Sequence, residues 1–313
     1  MKQYKSMGNL ILFAVLAAFS ASCEKDYTAI TNPPVEQKAN VYSTYEIDWS
    51  EAADSVSSAF VERFYCSSNR NGAEGVFSYS EYNNRGGNGN CYWQQAHAMG
   101  AMVDYYNRIK YTDPDQAALI KTYFRRWYDK RGNNYEGNRE WRGSTGFGND
   151  FTDDTCWIII ALLQMYEATD DATYFDAAKK TWDECVRPRF AINRYGWLPW
   201  KWTDTGANEC TNGPGAIVAA TLAGYSKEAG NTEEYERYLN EAYKCFDQNI
   251  SVMNDNGTLS GIPLSYTQGT CMEAGRLIWR LTGEIGYLRK AVSAARGQMM
   301  AKSMNEVYES ENV

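Results

Sequence analysis

Residues Cys156–Tyr166 read CWIIIALLQMY and are apolar on almost every face, whereas Ala172–Cys185, ATYFDAAKKTWDEC, carries its charges on one stripe. At 3.6 residues per turn the first pattern describes a helix buried all round and the second a helix with one face in water. Between them Thr169-Asp170-Asp171 ends one helix and caps the next, so the pair forms an αα-hairpin. Similar junctions stand at Thr112-Asp113-Pro114, Gly230-Asn231-Thr232 and Thr282-Gly283-Glu284. Tyrosines follow three of the four junctions, Tyr174, Tyr235 and Tyr287, at intervals of 61 and 52 residues, the length of two helices and their loops.

Outward from this hairpin the periodicity predicts helices near 48–65, 92–109, 115–129, 153–168, 171–186, 213–229, 232–249, 268–282 and 285–304, and strand signals are scarce. Alternation of buried and amphipathic helices predicts an inner and an outer ring, an all-α toroid. Four long loops, 67–91, 132–151, 188–211 and 251–267, are rich in Gly, Asn, Tyr and Trp. Each leads from an outer helix into an inner one, so all four fall on one rim, and loops of this length usually carry function.

Composition narrows the function. The 313 residues are 44% hydrophobic and 22% charged, enough to bury a sizeable core. With 31 Lys+Arg against 39 Asp+Glu the net charge is −8, which offers no basic field for nucleic acid. A single histidine, His97, excludes a His-cluster metal site, and no cofactor or metal is expected. Chemistry therefore rests on carboxylates.

The N-terminus reads as an address. Lys2 and Lys5 precede an apolar run from Leu10 to Phe19, then Ser20-Ala21-Ser22 and Cys23. Ten apolar residues are half of the ~20 that span a bilayer, so 1–22 reads as a signal peptide rather than a transmembrane anchor. The small-residue–Cys junction resembles a bacterial lipobox, which implies acylation of Cys23. Glu24-Lys25-Asp26 is similar to the signals that place lipoproteins on the outer cell surface. Residues 23–40, with Pro33-Pro34, form a flexible tether, and 41–313 form the folded domain. Of the remaining seven cysteines none forms a CxxC, and their spacing fits either buried thiols or disulfides that leave one over.

The sharpest local feature is Gly148-Asn149-Asp150-Phe151-Thr152-Asp153-Asp154-Thr155-Cys156-Trp157, with tandem carboxylates at the start of the most buried helix. Helix capping accounts for one acidic residue there but not for two. One carboxylate, bonded to helix N–H groups, would stay ionised as a nucleophile while its neighbour holds a proton for a leaving group, and their titrations would be coupled. Around them stand Tyr92-Trp93-Gln94-Gln95, Tyr195-Gly196-Trp197-Leu198-Pro199-Trp200-Lys201-Trp202, Thr211-Asn212-Gly213-Pro214 and Ser265-Tyr266-Thr267-Gln268-Gly269. Flat aromatic faces suit pyranose rings and amides suit hydroxyls, so Trp93, Gln94, Trp197, Trp200, Asn212, Tyr266 and Gln268 are candidate glycan-binding residues, although each alone fits a core or cap position equally.

In order, these segments resemble glycoside hydrolase family 76, the endo-α-1,6-mannanases, from about Trp93 to Ala291. The shared features are the aromatic-Trp-Gln helix start, the Asp-Asp pair with a Trp three residues on, Gly-Trp-x-x-Trp, Asn-Gly-Pro, and Tyr-x-Gln-Gly followed by Thr-Gly-x-x-x-Tyr-Leu. The resemblance implies an (α/α)6-type toroid and retaining hydrolysis of α-mannan, with Asp153 the nucleophile and Asp154 the acid/base. At about 55 residues per hairpin, 41–313 hold five hairpins, so the sixth is expected to be missing or short. The expected protein is a monomeric outer-membrane lipoprotein that cleaves an α-mannan backbone. A non-catalytic glycan-binding lipoprotein and a transglycosidase on the same fold are the alternatives.

Overall fold

The computed structural model describes residues 48–68, 74–78, 92–134, 139–260 and 264–301. Among them every regular element is helical, and strand pairing is limited to single bridges such as Phe151–Lys201 and Met253–Leu259. The main helices are α1 (Trp49–Phe64), α2 (Tyr92–Ile109), α3 (Pro114–Asp129), α4 (Thr152–Thr169), α5 (Ala172–Thr181), α6 (Glu209–Glu228), α7 (Thr232–Ser251), α8 (Ser265–Thr282) and α9 (Ile285–Ala301).

Consecutive pairs α2–α3, α4–α5, α6–α7 and α8–α9 pack as hairpins, while α2, α4, α6 and α8 also pack in succession as an inner arc. The all-α toroid of hairpins expected from the sequence is the architecture found, with four complete hairpins and the leading α1 among the described residues. Short turns join the hairpins because polar caps end each helix sharply. Asp113, Asp171 and Asn231 accept backbone N–H groups of Gln116, Thr173 and Glu234. At the end of α8, Gly283 takes φ 78° and returns its N–H to Trp279 O, a left-handed cap that suits glycine. Between the rings Met99, Met102, Ile158, Leu162, Val218, Ala219, Cys271 and Ile278 are fully buried, and outer residues Ile120, Phe124, Trp127 and Phe246 close over them.

Three details depart from the sequence reading. First, α6 begins at Glu209 and α8 at Ser265, a turn earlier than the apolar periodicity indicates. Their first turns face the polar rim, so the hydrophobic signal starts only where burial does. Second, α5 ends at Thr181, after which the backbone widens over Trp182–Val186 and tightens over Arg187–Ala191. Third, α4 is not buried all round. Trp157, Ile160, Gln164 and Glu167, spaced along one face, line a 740 Å³ cavity with the inner faces of α6 and α8.

One device recurs at the rim. The fourth residue of each inner helix holds the loop before it. Gln95 accepts from Phe77 N–H and donates to Phe77 O, and Asn212 does the same for Leu198. Gln268 accepts from Leu259 N–H and donates to Gly257 O and Ala294 O. In α4 Thr155 takes this place, its hydroxyl accepting from Asn149 N–H and donating to Phe151 O.

Candidate active site

The turn before α4 is built on Asn149, which is fully buried. Its side-chain oxygen accepts from Phe151 N–H at 3.0 Å and its amide donates to Asn134 Oδ1 at 3.0 Å. The helix then starts with Phe151 at the cap position and no side-chain cap, so neither aspartate of the pair is consumed in that role. Asp153 Oδ1 accepts the N–H of Asp154 at 3.0 Å, and Oδ2 accepts the indole N–H of Trp200 at 3.0 Å.

Trp200 reaches Asp153 because its loop is sewn to this turn. Thr152 N–H donates to Trp200 O at 2.8 Å and Trp202 N–H to Asp150 O at 3.1 Å. The Trp200 ring packs on Phe151 at 5.0 Å between centroids and keeps one side exposed. Asp150, beside the pair, is buried and forms an ion pair with Lys201 at 3.2 Å.

The two carboxylates lie in different surroundings. Burial raises Asp153 from the ordinary carboxylate range to about 6, against the opposing pull of the Asp154 N–H, the Trp200 indole and the positive charge of Arg189. The helix N–H contact expected to keep Asp153 fully ionised is therefore present but outweighed by desolvation. Asp154 lies deeper, only 4% exposed, beside Tyr92. Burial and the charge of Asp154 push the Tyr92 phenol up, and its hydroxyl donates to Arg131 O at 2.6 Å.

The first turns of α6 and α8 supply the facing wall. Cys210 Sγ and Tyr266 OH are 2.9 Å apart, both within the field of Asp153, and Glu209 accepts from the Ser260 hydroxyl. Glu209 and Cys210 were invisible to the periodicity because the helix was expected to start after them. Asn208, whose side chain accepts Thr211 N–H, is the capping signal that locates them. On the α2 side Trp93 meets His97 at 5.6 Å, and His97 meets Trp157 at 4.5 Å. Trp157 stands one turn after Asp153 on α4.

Of the candidate residues, Trp200 and Tyr266 thus gather at Asp153, and Trp93 joins an aromatic row one turn away. Trp197 stacks on Tyr195 at 4.8 Å instead, with the neighbouring Gly196 against Lys244 of α7. Gln94 lies in a hollow with Phe60, Phe64 and Ala98 between α1 and α2. Asn212 and Gln268, expected to meet substrate hydroxyls, are fully buried and spend their amides on backbone groups of the preceding loop and, for Gln268, of α9, so the fold makes them clamps. Cys23 lies outside the described residues. The six described cysteines are free thiols. Among the described residues no three His, Cys, Asp or Glu side chains are grouped to hold a metal ion.

A family model described as glycosyl hydrolase family 76 matches residues 48–312. The chain belongs to this family. Its fold is similar to the α-1,6-mannanase GH76A of Salegentibacter sp. HEL1_6, with a TM-score of 0.62 at 24% identity over 83% of this chain and 72% of that one. An inactive variant of that enzyme, with two consecutive aspartates replaced by asparagine and α-1,6-mannotriose bound, gives a TM-score of 0.63 at 23% identity, covering 83% and 72%. A family 76 mannosidase from Bacteroides thetaiotaomicron VPI-5482 gives 0.57 at 19% identity, covering 79% and 70%. No curated protein matches the chain. Family membership makes this family 76 chain a glycoside hydrolase by kinship.

Proposed function

We propose that the protein is a retaining endo-α-1,6-mannanase, held on the outer membrane by a lipid on Cys23. The observation that carries the catalytic reading is the uncapped Asp153, one oxygen held by the Trp200 indole, next to the deeper Asp154. The Salegentibacter enzyme, described as inactive when two consecutive aspartates are replaced and as binding α-1,6-mannotriose, supports the same assignment.

In the first step the Asp153 carboxylate attacks the anomeric carbon and forms a glycosyl ester as the C1–O bond breaks. Asp154 gives its proton to the departing mannosyl oxygen. In the second step water attacks the same carbon, Asp154 takes a water proton, and the ester bond breaks to regenerate Asp153. Two inversions return the α configuration. Trp200 and Tyr266 offer aromatic faces beside the reacting centre, and Trp93 and Trp157 extend that surface along the inner arc.

Digestion of linear α-1,6-mannan tests the reading. The wild type should release oligosaccharides with the α-anomer first by proton NMR, and Asp153→Asn should lose several orders of magnitude in turnover while staying folded. Asp150→Asn, whose carboxylate is paired with Lys201, should keep far more activity than either pair variant. Binding without cleavage, or a β-anomer first, would refute it.

A further inference from the structure

Beneath the Asn149–Thr152 turn lies a residue that the sequence did not single out. Arg189 is fully buried. Its guanidinium donates to Asn149 O, to Asp150 O at 3.1 Å and to Thr152 Oγ1 at 2.8 Å, and it lies 5.2 Å from the centre of the Trp202 ring. One fork thus binds three residues of the turn that starts α4, Asn149, Asp150 and Thr152, and stacks against Trp202 of the loop that brings Trp200 to Asp153. The change of winding after α5 explains how it gets there. Across Pro188, Arg187 turns outward to Asp183 and Glu241, whereas Arg189 turns inward.

Because its hydrogen bonds go to two carbonyls and a hydroxyl, the charge of Arg189 is not spent on one carboxylate. The charged and titratable groups that face Asp153 are Asp154 and Cys156 on its own helix, Cys210 on α6, Tyr266 on α8, and Arg189. Lys201 is already engaged by Asp150. Arg189 itself is faced by Cys185, Cys156, Asp150 and Asp153.

We propose that Arg189 is the positioning residue of this site, locking the turn that aims Asp153. This deepens the mannanase reading and rests on it for the identity of the nucleophile. A planar fork suits the task because it meets several acceptors in fixed geometry, which the single ammonium of a lysine does not.

The test separates the two ideas by reading Asp153 without turnover. Full-length protein labelled with 5-fluorotryptophan reports on Trp200 by ¹⁹F NMR, its resonance assigned by its loss in Trp200→Phe. In the wild type this resonance should titrate with Asp153. In both Arg189→Gln and Arg189→Lys the resonance should move from its wild-type position, because the turn that holds Asp153 against the Trp200 indole is no longer locked. Arg189→Lys should still lose about tenfold or more in kcat on linear α-1,6-mannan with KM unchanged, because the fork is gone. That variant also decides the matter if Arg189→Gln does not fold, since wild-type kcat in Arg189→Lys would overturn the proposal. An unmoved Trp200 resonance in Arg189→Gln would overturn it as well. A shifted Trp200 resonance in a protein that leaves mannan intact would sink the mannanase reading and leave the role of Arg189 standing.

Discussion

At Asp153 burial and hydrogen bonding pull in opposite directions, and burial wins. Its carboxyl, raised to about 6, loses its charge below that pH, so activity that needs the carboxylate should fall on an acid limb near pH 6. The Trp200 N–H favours the ionised form, so Trp200→Phe should move that limb upward and cost more kcat at pH 6 than at pH 8. A pH profile of kcat/KM checks both, and a limb that stays in place in Trp200→Phe would count against the contact. The same shift has a stability sign. The folded value lies above the unfolded value of 3.8, so the stabilising contribution is complete below that value and is lost as pH rises through about 6. Asp153→Asn should therefore be more stable than wild type at pH 7, by up to about 3 kcal/mol, and no more stable below pH 4. Urea unfolding at the two pH values measures this.

At the scale of elements, the clamp at the fourth position of each inner helix is what turns four loops into one organised rim. Gln268→Ala leaves a buried N–H at Leu259 and carbonyls at Gly257 and Ala294 without that partner, which should cost about 2–4 kcal/mol in denaturant unfolding. Asn212→Ala should cost a similar amount and also lower kcat, because Leu198 belongs to the loop that carries Trp200. A variant at Asn212 with unchanged stability would show that the clamp is dispensable. These residues also mark where sequence reading stops. Helices and their hairpin pairing were legible because burial repeats every 3.6 residues and polar caps punctuate it. Asn212 and Gln268 looked like ligand amides because residue type alone does not reveal that the acceptor is a loop backbone. Trp197 and Trp200 share one short motif, yet only Trp200 sits on the stretch bridged to Phe151 and Thr152. Arg189 gave no local signal, since its partners are about forty positions earlier in the chain.

At the scale of the molecule, the inner helices α2, α4, α6 and α8 begin at the rim that carries Asp153, while the cavity below it is lined by α4, α6 and α8. The proposed catalytic rim belongs to the compact unit that begins at Trp49, and the proposed anchor to the segment before it. The leader's apolar run of ten residues is too short to hold the protein in a bilayer, so membrane residence should depend on the acyl chains at Cys23. Native protein should fractionate with membranes and show a lipidated N-terminal cysteine by mass spectrometry, with residues 1–22 removed. Cys23→Ala should move it to the soluble fraction while leaving its kcat on linear α-1,6-mannan and its acid limb unchanged, because neither depends on the anchor. An intact Met1, or a Cys23→Ala protein that stays in the membrane, would refute the anchor.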